Sequence, residues 1–168
     1  RFADAEAELK KGAELNPKNQ AVQLALANFY ASSKRLDEAE KNYEFVISMN
    51  PENPAGYMAL ANFYVATGKP DQAIETYKKG LESSAEAVIL KQKLAELLID
   101  KKDLKEAASQ IESILRKNEN DYYGLYLRGR LRIAENKIKE ASDALQSSVK
   151  KEPNLLLLEN KIDSELFD

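Results

Sequence analysis

Apolar residues along this chain fall at helical spacing, and the whole pattern recurs every 34 positions. Ala5, Ala39, Ala73, Ala107 and Ala141 share one column without an insertion. Three residues before each stand Phe2, Leu36, Pro70, Leu104 and Ile138, and four residues after each come Leu9, Tyr43, Tyr77, Ile111 and Leu145. Three-then-four spacing marks one face of an α-helix. A second apolar series precedes the first in each period: Leu26, Ala27, Phe29 and Tyr30; then Leu60, Ala61, Phe63 and Tyr64; then Leu94, Ala95, Leu97 and Leu98. Each period therefore predicts two helices.

Punctuation supports that division. Pro17, Pro51 and Pro153 recur in one column, where they end the second helix of each period. Asn53-Pro54 reads as a cap followed by a first-turn proline. Ser32 to Arg35, Thr67 to Lys69 and Asp100 to Asp103 are polar turns within a period. The expected helices cover 2–15, 20–33, 36–49, 54–67, 70–83, 87–101, 104–117, 122–135, 138–151 and 155–166. Ala27, Ala61, Ala95 and Gly129 give the first helix of each period a small residue, and the alanine column gives one to the second. Two small surfaces let helix axes approach to roughly 8–10 Å. Tyr30, Tyr43, Tyr64 and Tyr77 are then expected to fill the grooves between successive hairpins, because one hairpin alone cannot bury its apolar face.

These columns, with Leu60 to Tyr64, Gly68, Ala73, Tyr77 and Leu81 as the clearest unit, resemble the tetratricopeptide repeat family. The resemblance implies an all-α fold, a right-handed α-solenoid of stacked antiparallel helix hairpins. Its concave groove, lined by the first helices, would hold a peptide or another protein. One continuous solenoid over 1–168 is expected, with a half unit at 1–19, full units at 20–53, 54–87, 88–121 and 122–153, and a terminal capping helix at 154–168. The chain then reads as a piece of a longer array.

Composition narrows the function. The 168 residues carry 25 basic and 28 acidic side chains, a formal charge of -3, with no basic block to meet nucleic acid. Nucleic acid is not an expected partner. No stretch approaches the roughly 20 apolar residues of a membrane span, and acids stand at Asp4 and Glu6, where a signal peptide needs an apolar run. Cytoplasm and bacterial periplasm are both compatible with this. The absence of histidine and cysteine removes the commonest general base, metal ligands and nucleophile. Asp37, Glu38, Glu96, Asp100, Glu106 and Glu140 read as a solvated helix surface. No catalytic, cofactor or metal site is expected.

The groove is where function is expected. Asn28 and Asn62 occupy equivalent positions one repeat apart, followed in the same column by Glu96 and Arg130. An asparagine supplies both a donor and an acceptor for the backbone of an extended peptide. Leu24, Met58, Gln92 and Tyr126 form the neighbouring column, with Tyr123 nearby, and would set selectivity. Asn62→Ala is expected to weaken partner binding while hardly changing stability. The carboxylate clamp by which some members of the family hold acidic tails does not fit, since its places hold Leu24, Asn28, Ala59, Ile89 and Lys93. Arg128 and Arg132 replace apolar residues of earlier units and are expected to pair with Glu159, Asp163 or Glu165 of the terminal helix. Phe2, Leu9 and Ala13 of the half unit lack a first helix to cover them, so homo-association through this end is a second expectation. Units with a similar Ala-Asn-Phe-Tyr run occur in bacterial envelope and polysaccharide-export arrays, which suggests a structural assembly module as the alternative.

Overall fold

A computed structural model describes residues 2–152, with only the backbone of Phe2 and Ala3. The expected terminal helix, Pro153 and the acids assigned to it lie outside the described residues. Those described form helices and no strand: α1 (Phe2–Leu15), α2 (Gln20–Ser32), α3 (Leu36–Met49), α4 (Pro54–Ala66), α5 (Pro70–Ser83), α6 (Val88–Asp100), α7 (Leu104–Lys117), α8 (Tyr122–Ala134) and α9 (Ile138–Lys151). Every one starts and stops within a residue of its expected place. The chain groups into two compact units, Arg1–Ala87 and Val88–Asp168. In the first, α2 packs on α3 and α4 on α5, with α1 against α2 and α3 against α4. In the second, α6 packs on α7 and α8 on α9, with α7 and α6 both against α8.

The small columns sit where the helices of a hairpin cross. Ala27, Ala61 and Ala95 are fully buried, and so are Ala39, Ala73 and Ala107. At Gly129 the approach is closer still, because a Cβ there would stand 2.5 Å from Leu145 Cδ2. Around these contacts lie the larger side chains; Tyr43 of α3 meets Phe63 of the next hairpin with ring centroids 5.3 Å apart. The half unit differs from expectation in one respect. Ala13 is buried and Leu9 half-buried, because α2 already covers them, whereas Ala5 and Leu15 are exposed.

Two kinds of turn repeat with the same period. After each first helix the chain takes one residue into the left-handed region: Lys34 (φ 62°), Gly68 (φ 74°), Lys102 (φ 62°) and Asn136 (φ 59°). The amide of each donates back to the third carbonyl before it, and the next amide reaches the fifth, as in Lys34 to Ala31 at 3.1 Å and Arg35 to Tyr30 at 2.9 Å. This pair of bonds satisfies carbonyls that the helix end leaves free. Between hairpins, the amides of Asn19, Asn53, Ala87 and Asp121 each donate to the carbonyl three residues earlier. Proline fits the second position of such a turn, but Ala85 and Glu119 hold it equally well elsewhere in the chain. Asn19, Asn53 and Asp121 then cap the helix that follows through their side-chain oxygens. Ala87, in the same column at the boundary of the two units, has no side-chain acceptor to offer.

Two substitutions test this packing by urea unfolding. Ala61→Leu is expected to destabilise by about 1–3 kcal/mol, since no space remains at the crossing. Lys34→Gly is expected to stabilise by roughly 0.5–1 kcal/mol, because only glycine enters the left-handed region without steric cost. Similar effects of the two changes would contradict the assignment of these columns.

Candidate functional site

The residues expected to line a groove are held differently in the two units. In the first unit Asn28 on α2 and Asn62 on α4 are exposed, and Met58 is half-buried. The hydroxyl of Tyr43 on α3 donates to Asn28 Oδ1 at 2.5 Å, and that of Tyr77 on α5 donates to Asn62 Oδ1 at 2.9 Å. Each asparagine is thus tied to the second helix of its own hairpin. Burial pushes the Tyr43 hydroxyl above its ordinary pKa, which keeps the donor protonated. The Tyr–Asn bond also corrects the expectation that Asn62→Ala leaves stability untouched. Tyr77 is buried, and alanine would remove this partner of its hydroxyl at a cost of about 1 kcal/mol.

A second polar motif in the same unit links neighbouring hairpins. Arg35 lies over the Tyr30 ring, 4.5 Å from its centroid, and reaches Glu6 at 2.8 Å. One repeat later Lys69 lies over Tyr64 at 5.7 Å and pairs with Glu40 at 3.7 Å, while the Tyr64 hydroxyl donates to Glu40 at 2.6 Å. Burial, then the Glu40 carboxylate, raise the pKa of Tyr64 well above the ordinary value. Hydrogen bonds from Lys10 and Arg35 lower that of Glu6.

In the second unit the corresponding residues are brought together by one another. Gln92 of α6 donates to Asp121, the cap of α8, at 3.2 Å. Glu96 accepts from Lys93 at 2.9 Å and from the Tyr123 hydroxyl at 3.3 Å, and lies 3.6 Å from Arg130. Arg130 in turn donates to Asp100 at 2.6 Å. Glu96 and Asp100, expected as a solvated surface, are therefore bound from α8. The Arg130 side chain is only 14% exposed; burial opposes its charge, but Asp100 and Glu96 outweigh burial and keep it firmly protonated. Burial, reinforced by Glu96, raises the Tyr123 hydroxyl in the same way as Tyr64. Tyr126 packs against Tyr123 with centroids 5.5 Å apart and is buried, so its ring is part of the packing.

Arg132 finds partners in the turn after α8 and in α9. It bonds Glu135 at 2.6 Å and Glu140 at 3.1 Å, acids placed close by the turn between α8 and α9. With Arg128, Glu140 and Asp143 it lines a cavity of about 290 Å³, whose mixed charge does not fit an anion. Among the described residues, no group of acidic side chains could hold a metal ion, and no helix is long and apolar enough to cross a membrane.

Tyr43, Tyr77, Asp100 and Asp121 were not expected at this site. A signal for the first two was present, since Asn28 and Asn62 are each followed fifteen positions later by tyrosine, whereas Glu96 and Arg130 are followed by Ile111 and Leu145.

Paired helices, repeated columns and polar residues arrayed on the first helices define an all-α repeat scaffold that acts through its surface. A tetratricopeptide repeat family model matches residues 1–42, 32–97 and 68–129, and the chain belongs to that family. Such repeat proteins are generally non-catalytic scaffolds for protein interaction. No curated protein matches the chain in sequence. Among solved structures it is similar to a tetratricopeptide repeat protein from Parabacteroides merdae, with 21% identity and a TM-score of 0.75, covering 90% of this chain and 60% of that one. TTC0263, a thermophilic TPR protein from Thermus thermophilus, shares 17% identity with a TM-score of 0.73, covering 100% and 92%. YrrB, a TPR protein with an unusual peptide-binding site, shares 19% with a TM-score of 0.69, covering 95% and 83%. At such identities the likeness extends to the fold.

Two measurements follow. Tyrosine ordinarily ionises near about pH 10; Tyr64 and Tyr123, raised in the folded chain, should titrate above that pH by absorbance. Their contribution to stability is complete below that pH and is lost as pH rises beyond it, because only the unfolded chain then releases the protons. Arg130→Ala should destabilise by roughly 1–2 kcal/mol, less than a fully buried pair since Glu96 and Asp100 remain partly solvated. A double-mutant cycle with Glu96→Gln that shows no coupling would break the assignment.

Proposed function

We propose that the chain is a non-catalytic adaptor that binds an extended peptide segment of another protein along the first helices of its repeats. The observation that carries this reading is the pair Asn28 and Asn62, exposed in the same column on successive first helices of one unit. Met58 supplies a half-buried apolar surface one turn before Asn62. Extended chains carry backbone polar groups without internal partners, and a row of fixed side-chain amides one repeat apart suits them. In the second unit Gln92, Glu96, Tyr123, Tyr126 and Arg130 belong to the same reading, and the polar atoms of Gln92, Glu96, Tyr123 and Arg130 are engaged by one another or by Asp100 and Asp121. That unit would offer the partner a preset, rigid surface. YrrB, with its peptide-binding site, supports a peptide as the kind of partner.

A second reading, self-association through the first helix, is favoured by Leu15, which is 72% exposed, and by the exposed Ala5. Sedimentation across a concentration series separates it, since a monomer throughout removes it. For the adaptor reading, the whole chain is used as bait and the retained proteins are identified by mass spectrometry, then reduced to a binding peptide. Met58→Ala should weaken that peptide by about 1–2 kcal/mol, and Glu75→Ala, on the exposed side of α5, should leave it unchanged. Equal affinities for wild type and Met58→Ala would move the site off this face.

A further inference from the structure

Between α3 and α5, with α4 beneath them, the first unit carries a groove of about 560 Å³ that lies away from the asparagine column. Leu60, Tyr64 and Tyr57 form its floor. Asn62 stands two residues from both Leu60 and Tyr64, which at about 3.6 residues per turn puts it on the opposite side of α4. The polar ends of the floor are already used. The Tyr64 hydroxyl donates to Glu40 at 2.6 Å, and that of Tyr57 shares a hydrogen bond of 3.0 Å with Ser83. What the floor offers a visitor is therefore apolar.

Its walls are charged, and the charge is not balanced. Glu44 stands on the α3 side, and Lys79 and Glu82 on the α5 side. Lys79 is drawn to Glu75 at 2.8 Å, one turn back on α5, and Glu82 and Glu44 favour its charge as well. Three carboxylates thus share one ammonium, and among the described residues Glu44 and Glu82 form no ion pair.

The repeat itself shows what this place accommodates. Two periods further on, the columns of Leu60 and Tyr64 hold Arg128 and Arg132. The cavity those arginines line with Asp143, Ala144 and Ser147 is the same place in the repeat, since these three stand in the columns of Glu75, Thr76 and Lys79. There the chain supplies its own guanidinium, and Arg132 is held by Glu135 and Glu140. In the first unit the carboxylates stand over a floor without a cation.

We propose that the groove between α3 and α5 is a second docking surface, which receives an arginine side chain of a protein partner, with its stem on the apolar floor and its guanidinium between Glu44 and Glu82. Long cationic side chains lay their methylene stems on apolar surface while the head stays at the charged rim. Arginine suits the place better than lysine, because its planar fork reaches two carboxylates and its weaker hydration is given up at lower cost. The proposal is independent of the peptide reading, whose residues lie on the other side of α4. A partner seated here would leave the first helices free, so the chain would hold two segments at once.

The probe is N-acetyl-arginine methylamide, titrated into the whole isotope-labelled chain and followed by NMR. Saturable shifts are expected at the backbone amides of Glu44, Tyr57 and Thr76, with a dissociation constant on the order of millimolar, while those of Asn28 and Asn62 stay in place. The double variant Glu44→Gln, Glu82→Gln keeps the size of both exposed side chains and removes the surplus charge. It should raise the dissociation constant about fivefold or more at an unchanged melting temperature. In the unmodified chain, raising salt from about 50 to about 500 mM should weaken the probe about threefold or more, a readout that needs no variant. N-acetyl-norleucine methylamide, which has a stem without a cation, should bind about tenfold more weakly. Shifts that do not saturate, shifts confined to the asparagine column, or an affinity indifferent to salt and to the double variant overturn the proposal. A norleucine probe as tight as the arginine probe overturns the role of the carboxylates, and an equally tight lysine counterpart overturns the choice of arginine.

Discussion

Helix pairs in this protein depend on a methyl group standing where most helix crossings would carry a larger side chain. With Ala61 and Ala73 fully buried at the contact of α4 and α5, the backbones come close enough for Tyr64 and Tyr77 to reach over neighbouring helices. Tyrosine is long, and its polar end must find a partner if its ring is buried. The small column therefore dictates not only the spacing of helices but also where hydroxyl groups emerge, and those emergence points are Asn28, Asn62 and Glu40.

The two units resolve the polar surface of their first helices by different means. In the first, each asparagine is bonded within its hairpin, which leaves amide nitrogens outward. In the second, Glu96 and Arg130 span α6 and α8, and the charges are satisfied by one another and by Asp100. A partly buried arginine with two carboxylate partners is electrostatically settled and has little to gain from a further anion. Asparagines with free donors are in the opposite condition. The same column thus reads as presentation in one unit and as closure in the other.

Helix boundaries were legible to within a residue because each rests on local chemistry repeated at a fixed interval: alanine at the crossing, a left-handed residue after the first helix, an acceptor side chain before the next. Columns that hold one residue type report packing well. What the sequence hid was pairing. Glu96 and Asp100 carry the signature of a solvated surface, and only the approach of α8 turns them into partners of Arg130. Tyr126 fits a groove-facing column by spacing, but its ring is drawn into the packing by Tyr123. Arg132 was assigned to acids of the terminal helix, and Glu135 and Glu140 also reach it through the turn. Such contacts depend on side-chain reach across helices, which a periodicity does not encode. Where the link lies at a constant offset, as between Asn28 and Tyr43 or Asn62 and Tyr77, it could have been read.

That constant offset bears on how such an array can be rearranged. A hairpin that contains both Asn62 and Tyr77 carries that one fastening inside itself, so a duplication or exchange of residues 54–87 would move the pair intact while parting Tyr64 and Lys69 from Glu40. Glu96 and Arg130 are 34 residues apart in different hairpins, and moving either hairpin alone would part Arg130 from both Glu96 and Asp100. The asparagine fastening of the first unit thus travels with one hairpin, and the Glu96–Arg130 contact of the second needs two.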